Sequence, residues 1–139
     1  MKEIVLSLVV WLGANTGYVK EVSYPTIIVA QQEELREKLG PMYGNNRILG
    51  VYTAHNATIF LDTEVDVSTL RGKSTLLHEL VHHYQAKSGR IFSNPCLFEA
   101  EAYSIEDKWR RQNDLPESTS HPGFIYWIGK CVMEWEKVR

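Results

Sequence analysis

The sequence is poor in the features that mark several large protein classes. Only 2 of its 139 residues are cysteine, which excludes a disulfide-built scaffold and a four-cysteine zinc site. Charge of one sign is also scarce. The formal net charge is −2, from 15 basic and 17 acidic side chains, so no positive field exists for nucleic acid and no such partner is expected. Internal repeats and low-complexity tracts are absent. The longest nearly continuous apolar run, Ile4 to Leu12 (IVLSLVVWL), is about half of the roughly 20 residues a membrane-spanning helix needs, so no span is expected. What is present is ordinary for a globular chain: 44% hydrophobic and 23% charged residues. The length fits one domain, residues 1–139, with a single core.

The apolar run has a second reading. Lys2 precedes it and Gly13-Ala14 follows it, which is the layout of a signal peptide. Glu3 spoils the basic leading segment, and Leu12 is a poor residue three positions back from a cut after Ala14. A first helix belonging to the domain is therefore the preferred expectation, and with it a cytoplasmic rather than a secreted protein. Cys96 and Cys131 fit two buried thiols acting as small hydrophobes. They also fit one disulfide, which would reverse the localisation towards an oxidising compartment.

The first helix is expected over Lys2 to Asn15. The β-branched run Thr26 to Ala30, after Pro25, predicts a strand. Gln31 to Leu39 is a short helix of good formers, stopped by Gly40-Pro41. Arg47 to Ala54 and Thr58 to Leu61 predict two strands joined through His55-Asn56-Ala57 as a hairpin. A long helix follows from Thr69 to Lys87, capped by Ser68 or Asp66 and ended by Gly89, with Gly72 a mild internal cost. Asn94 caps the next helix, Pro95 sits in its first turn, and it runs to Gln112. After a polar loop, Asn113 to His121, an aromatic-rich last helix is expected over Gly123 to Val138. The order predicts an α+β fold with a small sheet.

The long helix carries His78-Glu79-Leu80-Val81-His82, an H-E-x-x-H pattern. Residues four apart lie one turn apart on one helical face, so two imidazoles can converge on one cation. Glu79 is rotated by about 100° from His78, at about 3.6 residues per turn. It flanks such an ion without ligating it, where it can serve as a general base. Leu76, Leu77, Leu80, Val81 and Tyr84 form a broad apolar stripe beside the histidines. That anchors the helix in a core and argues against two unrelated surface histidines.

A catalytic zinc site needs a third protein ligand and one open position. The next helix has the apolar face Phe98, Ala102, Ile105 and Trp109, with Glu99 and Tyr103 on its flank and Glu106 near them. Glu101 lies about 200° from Glu99 around that helix. Helical phase therefore selects Glu99 as third ligand over Glu101, which is expected as a solvated surface charge.

At these residues, HELVH at 78–82 and EAEAY at 99–103, the sequence resembles the gluzincin class of zinc metallopeptidases. The run STLLHELVHHYQ, then EAEAY and Trp109, is similar to a small, uncharacterised bacterial family of that class, and the likeness extends to WLGANTGY near the start. The resemblance implies a minimal zincin-like fold, with the hairpin packed on the H-E-x-x-H helix and the glutamate helix. It implies one zinc per chain on His78, His82 and Glu99, with Glu79 as catalytic base. It also favours pairing of Cys96 with Cys131 and a first helix inside the domain. One departure stands out. The class often has an acid four residues after the glutamate ligand, and here that position is Tyr103. Tyr103 can still hydrogen-bond a ligand, and Glu106 can replace the carboxylate.

The expected activity is peptide-bond hydrolysis: zinc lowers the pKa of its water to about 7, and Glu79 takes the proton as the water attacks a peptide or protein substrate. His83, Tyr103, His121 and Tyr126 have the chemistry to stabilise the tetrahedral intermediate. The strand Thr58 to Leu61 is the expected edge for an extended substrate. A zinc-binding interaction module without turnover is the alternative, and Glu79, which metal binding does not need, counts against it. The aromatics Phe124, Tyr126, Trp127 and Trp135 fit core as well as pocket lining. The short chain predicts an open, shallow cleft.

Overall fold

A computed structural model describes residues 1–18, 21–39 and 47–118. Among these, four α-helices and one three-stranded sheet follow in the order α1 (Lys2–Asn15), β1 (Thr26–Ala30), α2 (Gln32–Leu39), β2 (Gly50–Thr53), β3 (Thr58–Asp62), α3 (Leu70–Lys87) and α4 (Cys96–Gln112). The fold is α+β. No described helix is long and apolar enough to cross a membrane. The expected helix over Gly123 to Val138 lies outside the described residues.

β2 and β3 pair antiparallel across a one-turn 3-10 helix, Ala54–Asn56, and β1 adds parallel to β3, so the spatial order is β1-β3-β2. This corrects one expectation. Thr58 to Leu61 is the central strand, paired on both sides and buried throughout. The edges, among the described residues, are β1 and β2. The pairing of β1 with β3 joins strands far apart in sequence, which local pattern does not report.

Alternation along β3 divides the core. Ile59 and Leu61 face a large cluster with Leu76, Leu77, Leu80, Val81 and Tyr84 of α3 and Val5, Leu8, Val9 and Leu12 of α1. Phe60 faces the other way, against Val51, Ala30, Ile48 and Leu35 of α2. The buried positions of α1 follow the spacing i, i+3, i+4, i+7 of an amphipathic helix. α4 lies against α3 through Ala102 and Trp109, and Trp11 of α1 donates from its indole to Gln112 at the far end of α4, at 2.8 Å.

The start of α3 is tightly built. Thr69 caps it, its hydroxyl accepting from the Gly72 amide at 3.0 Å. A Cβ on Gly72 would stand 1.8 Å from the Asp66 carbonyl oxygen. The glycine is therefore required by the close approach of the preceding loop and is not a mild cost. At α4, Asn94 Oδ1 accepts from the Cys96 amide at 2.8 Å, the expected capping bond. Cys96 is buried and disulfide-bonded; its expected partner, Cys131, lies outside the described residues.

Candidate metal centre

α3 presents His78 and His82 from one face, and α4, packed beside it, presents Glu99. The three ligand atoms lie within 4.8 Å of one another. The two Nε2 atoms are 3.2 Å apart, and Glu99 Oε2 is 3.3 Å from His78 Nε2. Ligands of a tetrahedral ion with bonds of about 2.0–2.1 Å stand about 3.3–3.4 Å apart, so these separations fit a zinc-sized ion. Glu99 Oε1 is closer to His82 Nε2, at 2.5 Å.

The far ring nitrogens explain why both Nε2 atoms face inward. His78 Nδ1–H donates to Glu106 Oε1 at 3.1 Å. His82 Nδ1–H donates to Gln85 Oε1 at 2.7 Å. With both Nδ1 atoms carrying the hydrogen, each neutral ring turns its Nε2 lone pair into the site. Two lone pairs at 3.2 Å repel unless a proton or a cation lies between them. The donor set, two imidazoles and one carboxylate with a further face open to a cleft, suits zinc.

Electrostatics agree with a cation-seeking cluster. Burial pulls the His78 imidazolium down, but the Glu99 charge and the bonds to Glu106 and Glu99 outweigh it, and the group is raised well above the ordinary histidine value. His82 is likewise raised, burial being overcome mainly by Glu99. For Glu99, burial opposes ionisation, yet the two histidines hold its carboxyl well below the usual range. Glu79 behaves in the opposite way: burial raises it, against the pull of the neighbouring imidazoles.

Glu79 lies beside the trio and packs its side chain against β2. A Cβ on Gly50 would stand 3.0 Å from Glu79 Cγ and 3.2 Å from its Oε1. A cleft of about 810 Å³ opens over these groups, with β2 residues Gly50 to Tyr52 on one side and Phe98, Glu99 and Tyr103 of α4 on the other. That volume lies within the range of ligand pockets.

Residues 1–134 match the family model described as "Domain of unknown function (DUF6647)". The chain belongs to this DUF6647 family. No curated protein and no solved structure matches it. The family match spans every element of the site, from α1 through α4.

Other residues singled out in the sequence sort by place. Tyr103 lines the cleft with its ring 4.4 Å from that of His78. Glu106 stands behind His78, its other oxygen held by Ser74 and by Arg110, whose Nη1 is 3.6 Å away. His83, expected as a transition-state donor, points elsewhere: it is buried between the Tyr52 hydroxyl, 3.0 Å from Nδ1, and the Ser23 carbonyl, 2.7 Å from Nε2. Its position one residue past His82 turns it about 100° away from the cleft. Glu101 is no solvated charge. It accepts from Tyr18, from Gln85 and from Arg90, the last at 2.5 Å. His121, Tyr126, Phe124, Trp127 and Trp135 lie outside the described residues.

Ser74, Gln85, Arg110 and Gly50 were not singled out in advance. Helical spacing carried a signal for three of them. Ser74 is four residues before His78 on the same helical face, and Gln85, three after His82, and Arg110, four after Glu106, each lie on their partner's face. Gly50 required knowledge of the strand that faces Glu79.

Proposed function

We propose that this chain is a minimal, zincin-like zinc metallopeptidase of gluzincin type, hydrolysing peptide bonds in a peptide or protein substrate. The observation that carries the reading is the convergence of the His78 and His82 Nε2 lone pairs and the Glu99 carboxylate beside a buried Glu79. One zinc ion held by those three residues would supply Lewis-acid polarisation of the carbonyl and an acidified water.

The remaining work falls to the chain. Glu79 accepts the proton of the attacking water and returns it to the leaving amine, and its raised pKa suits that exchange. Tyr103, lining the cleft, is the donor closest to hand for a developing oxyanion. The edge strand β2 offers unpaired backbone groups to an extended substrate beside Glu79. The disulfide at Cys96 moves the preferred compartment from the cytoplasm to an oxidising one.

The test is Glu79→Gln. The variant should bind zinc like the unaltered chain, by metal analysis, and lose cleavage of an unfolded protein substrate by at least about 100-fold. Zinc bound by both proteins with cleavage by neither supports the interaction module instead.

A further inference from the structure

The two histidines differ in what stands behind them. His78 leans on a carboxylate, Glu106, whereas His82 leans on a neutral amide, Gln85. An amide can present either its oxygen or its NH₂, and only the oxygen can accept from an imidazole N–H. Something must therefore fix which way Gln85 points.

The structure supplies it. Gln85 is buried, and its Nε2 donates to the Phe98 carbonyl at 2.9 Å and to Glu101 Oε1 at 3.2 Å. A carbonyl and an ionised carboxylate accept and never donate. Both lie on the same side of the amide, so the NH₂ must face them and the oxygen must face His82. Glu101 is itself fixed by the Tyr18 hydroxyl and by Arg90 Nη2 at 2.5 Å. Tyr18 follows α1, and Arg90 follows α3.

We infer that Gln85 is a positioning residue for His82, locked by Glu101 in the one amide orientation that keeps the hydrogen on His82 Nδ1 and frees Nε2 for the metal. This rests on the zinc reading proposed above. It gives Glu101, the glutamate that helical phase rejects as a ligand, a defined task two hydrogen bonds removed from His82. It also makes the second carboxylate of EAEAY part of the centre, through a side chain on the other helix.

Zinc affinity, measured by competition with a chromophoric chelator, tests it without reference to cleavage. Glu99→Ala is the control for the metal reading and should lose tight binding. Gln85→Leu should bind zinc about 10- to 100-fold more weakly than the unaltered chain. Gln85→Met keeps the length of the side chain but has neither the amide oxygen nor the NH₂. It should bind zinc as weakly as Gln85→Leu, whereas a merely structural role leaves it within about threefold of the unaltered chain. Glu101→Ala removes one of the two acceptors that fix the amide and should weaken binding by about 3- to 10-fold. If Gln85→Leu does not fold, Gln85→Met decides alone. Undiminished binding by Gln85→Leu, by folded Gln85→Met or by Glu101→Ala overturns the inference while the zinc reading stands. Failure of the unaltered chain to bind zinc overturns both.

Discussion

At the scale of single residues, the site depends on what is missing from one of them. Gly50 leaves the space that the Glu79 side chain occupies against β2. A methyl group there meets Cγ at 3.0 Å and Oε1 at 3.2 Å, so Glu79 must give way by a few tenths of an ångström. Gly50→Ala should keep the fold and zinc, and lower kcat by about 10- to 100-fold with little change in KM. Steady-state kinetics on a peptide substrate checks this, and an unchanged kcat would show that Glu79 tolerates displacement. Individual residues were unevenly legible. Helical phase placed Glu99 with the histidines, because the arithmetic of one helix needs no partner. The surroundings of Glu101 could not be read, since Tyr18, Gln85 and Arg90 reach it from three other segments. His83 shares the chemistry of its neighbour, and only its rotation around α3 separates the two.

At the scale of elements, α3 carries the most demanding local geometry. Glycine inside a helix ordinarily costs about 1 kcal/mol relative to alanine, so Gly72→Ala would stabilise an isolated helix. Here the added Cβ would lie 1.8 Å from the Asp66 carbonyl oxygen, within the loop that leads to the Thr69 cap. The expected sign reverses: Gly72→Ala should destabilise the protein by about 1–3 kcal/mol, seen as a lower urea midpoint. Helix bounds were the most legible part of the fold. α1 was expected over the residues it occupies, and α3 begins one residue late because Thr69 serves as its cap. Strand order was not legible. A parallel partner for β3 arrives from before α2, and nothing in the sequence of Thr58 to Asp62 distinguishes a central strand from an edge.

At the scale of the whole molecule, a second charged cluster ties α2 and the segment before β2 to the end of β3. Asp62, buried at the end of β3, accepts from Gln32 at 2.9 Å, from Arg47 at 2.8 and 3.0 Å and from the Glu64 amide at 3.2 Å. Burial raises its pKa, but those hydrogen bonds and the Arg47 charge together bring it below the ordinary aspartate value. A carboxyl depressed on folding stabilises fully above its unfolded pKa of about 3.9, and that contribution fades as pH falls through the folded value. Asp62→Asn should therefore lower stability by about 1–3 kcal/mol at pH 7. The loss relative to the unaltered chain should shrink below about pH 4. Urea midpoints at pH 7 and pH 3 give both numbers, and a difference independent of pH would assign the effect to packing.

The groups of the metal cluster and their supports on α3 and α4, from Ser74 to Arg110, come from two consecutive helices, whereas β1 and β3 must meet across the whole of α2 and β2. In kinetic language, the β2–β3 hairpin is the local pair, with Thr53 opposite Thr58, while Ser74–Glu106 across the helices and Thr26–Thr58 across the sheet each close over 32 residues, and local pairs close first. The order of assembly follows: the hairpin forms early, and the helical pair and the parallel strand join it later. Pulse-labelled hydrogen exchange during refolding should protect amides of β2 ahead of those of β1, and simultaneous protection would refute that order. The strand that walls the cleft beside Glu79 would then stand before the two helices bring their histidines and Glu99 together, so metal capture would come late in folding rather than seed it.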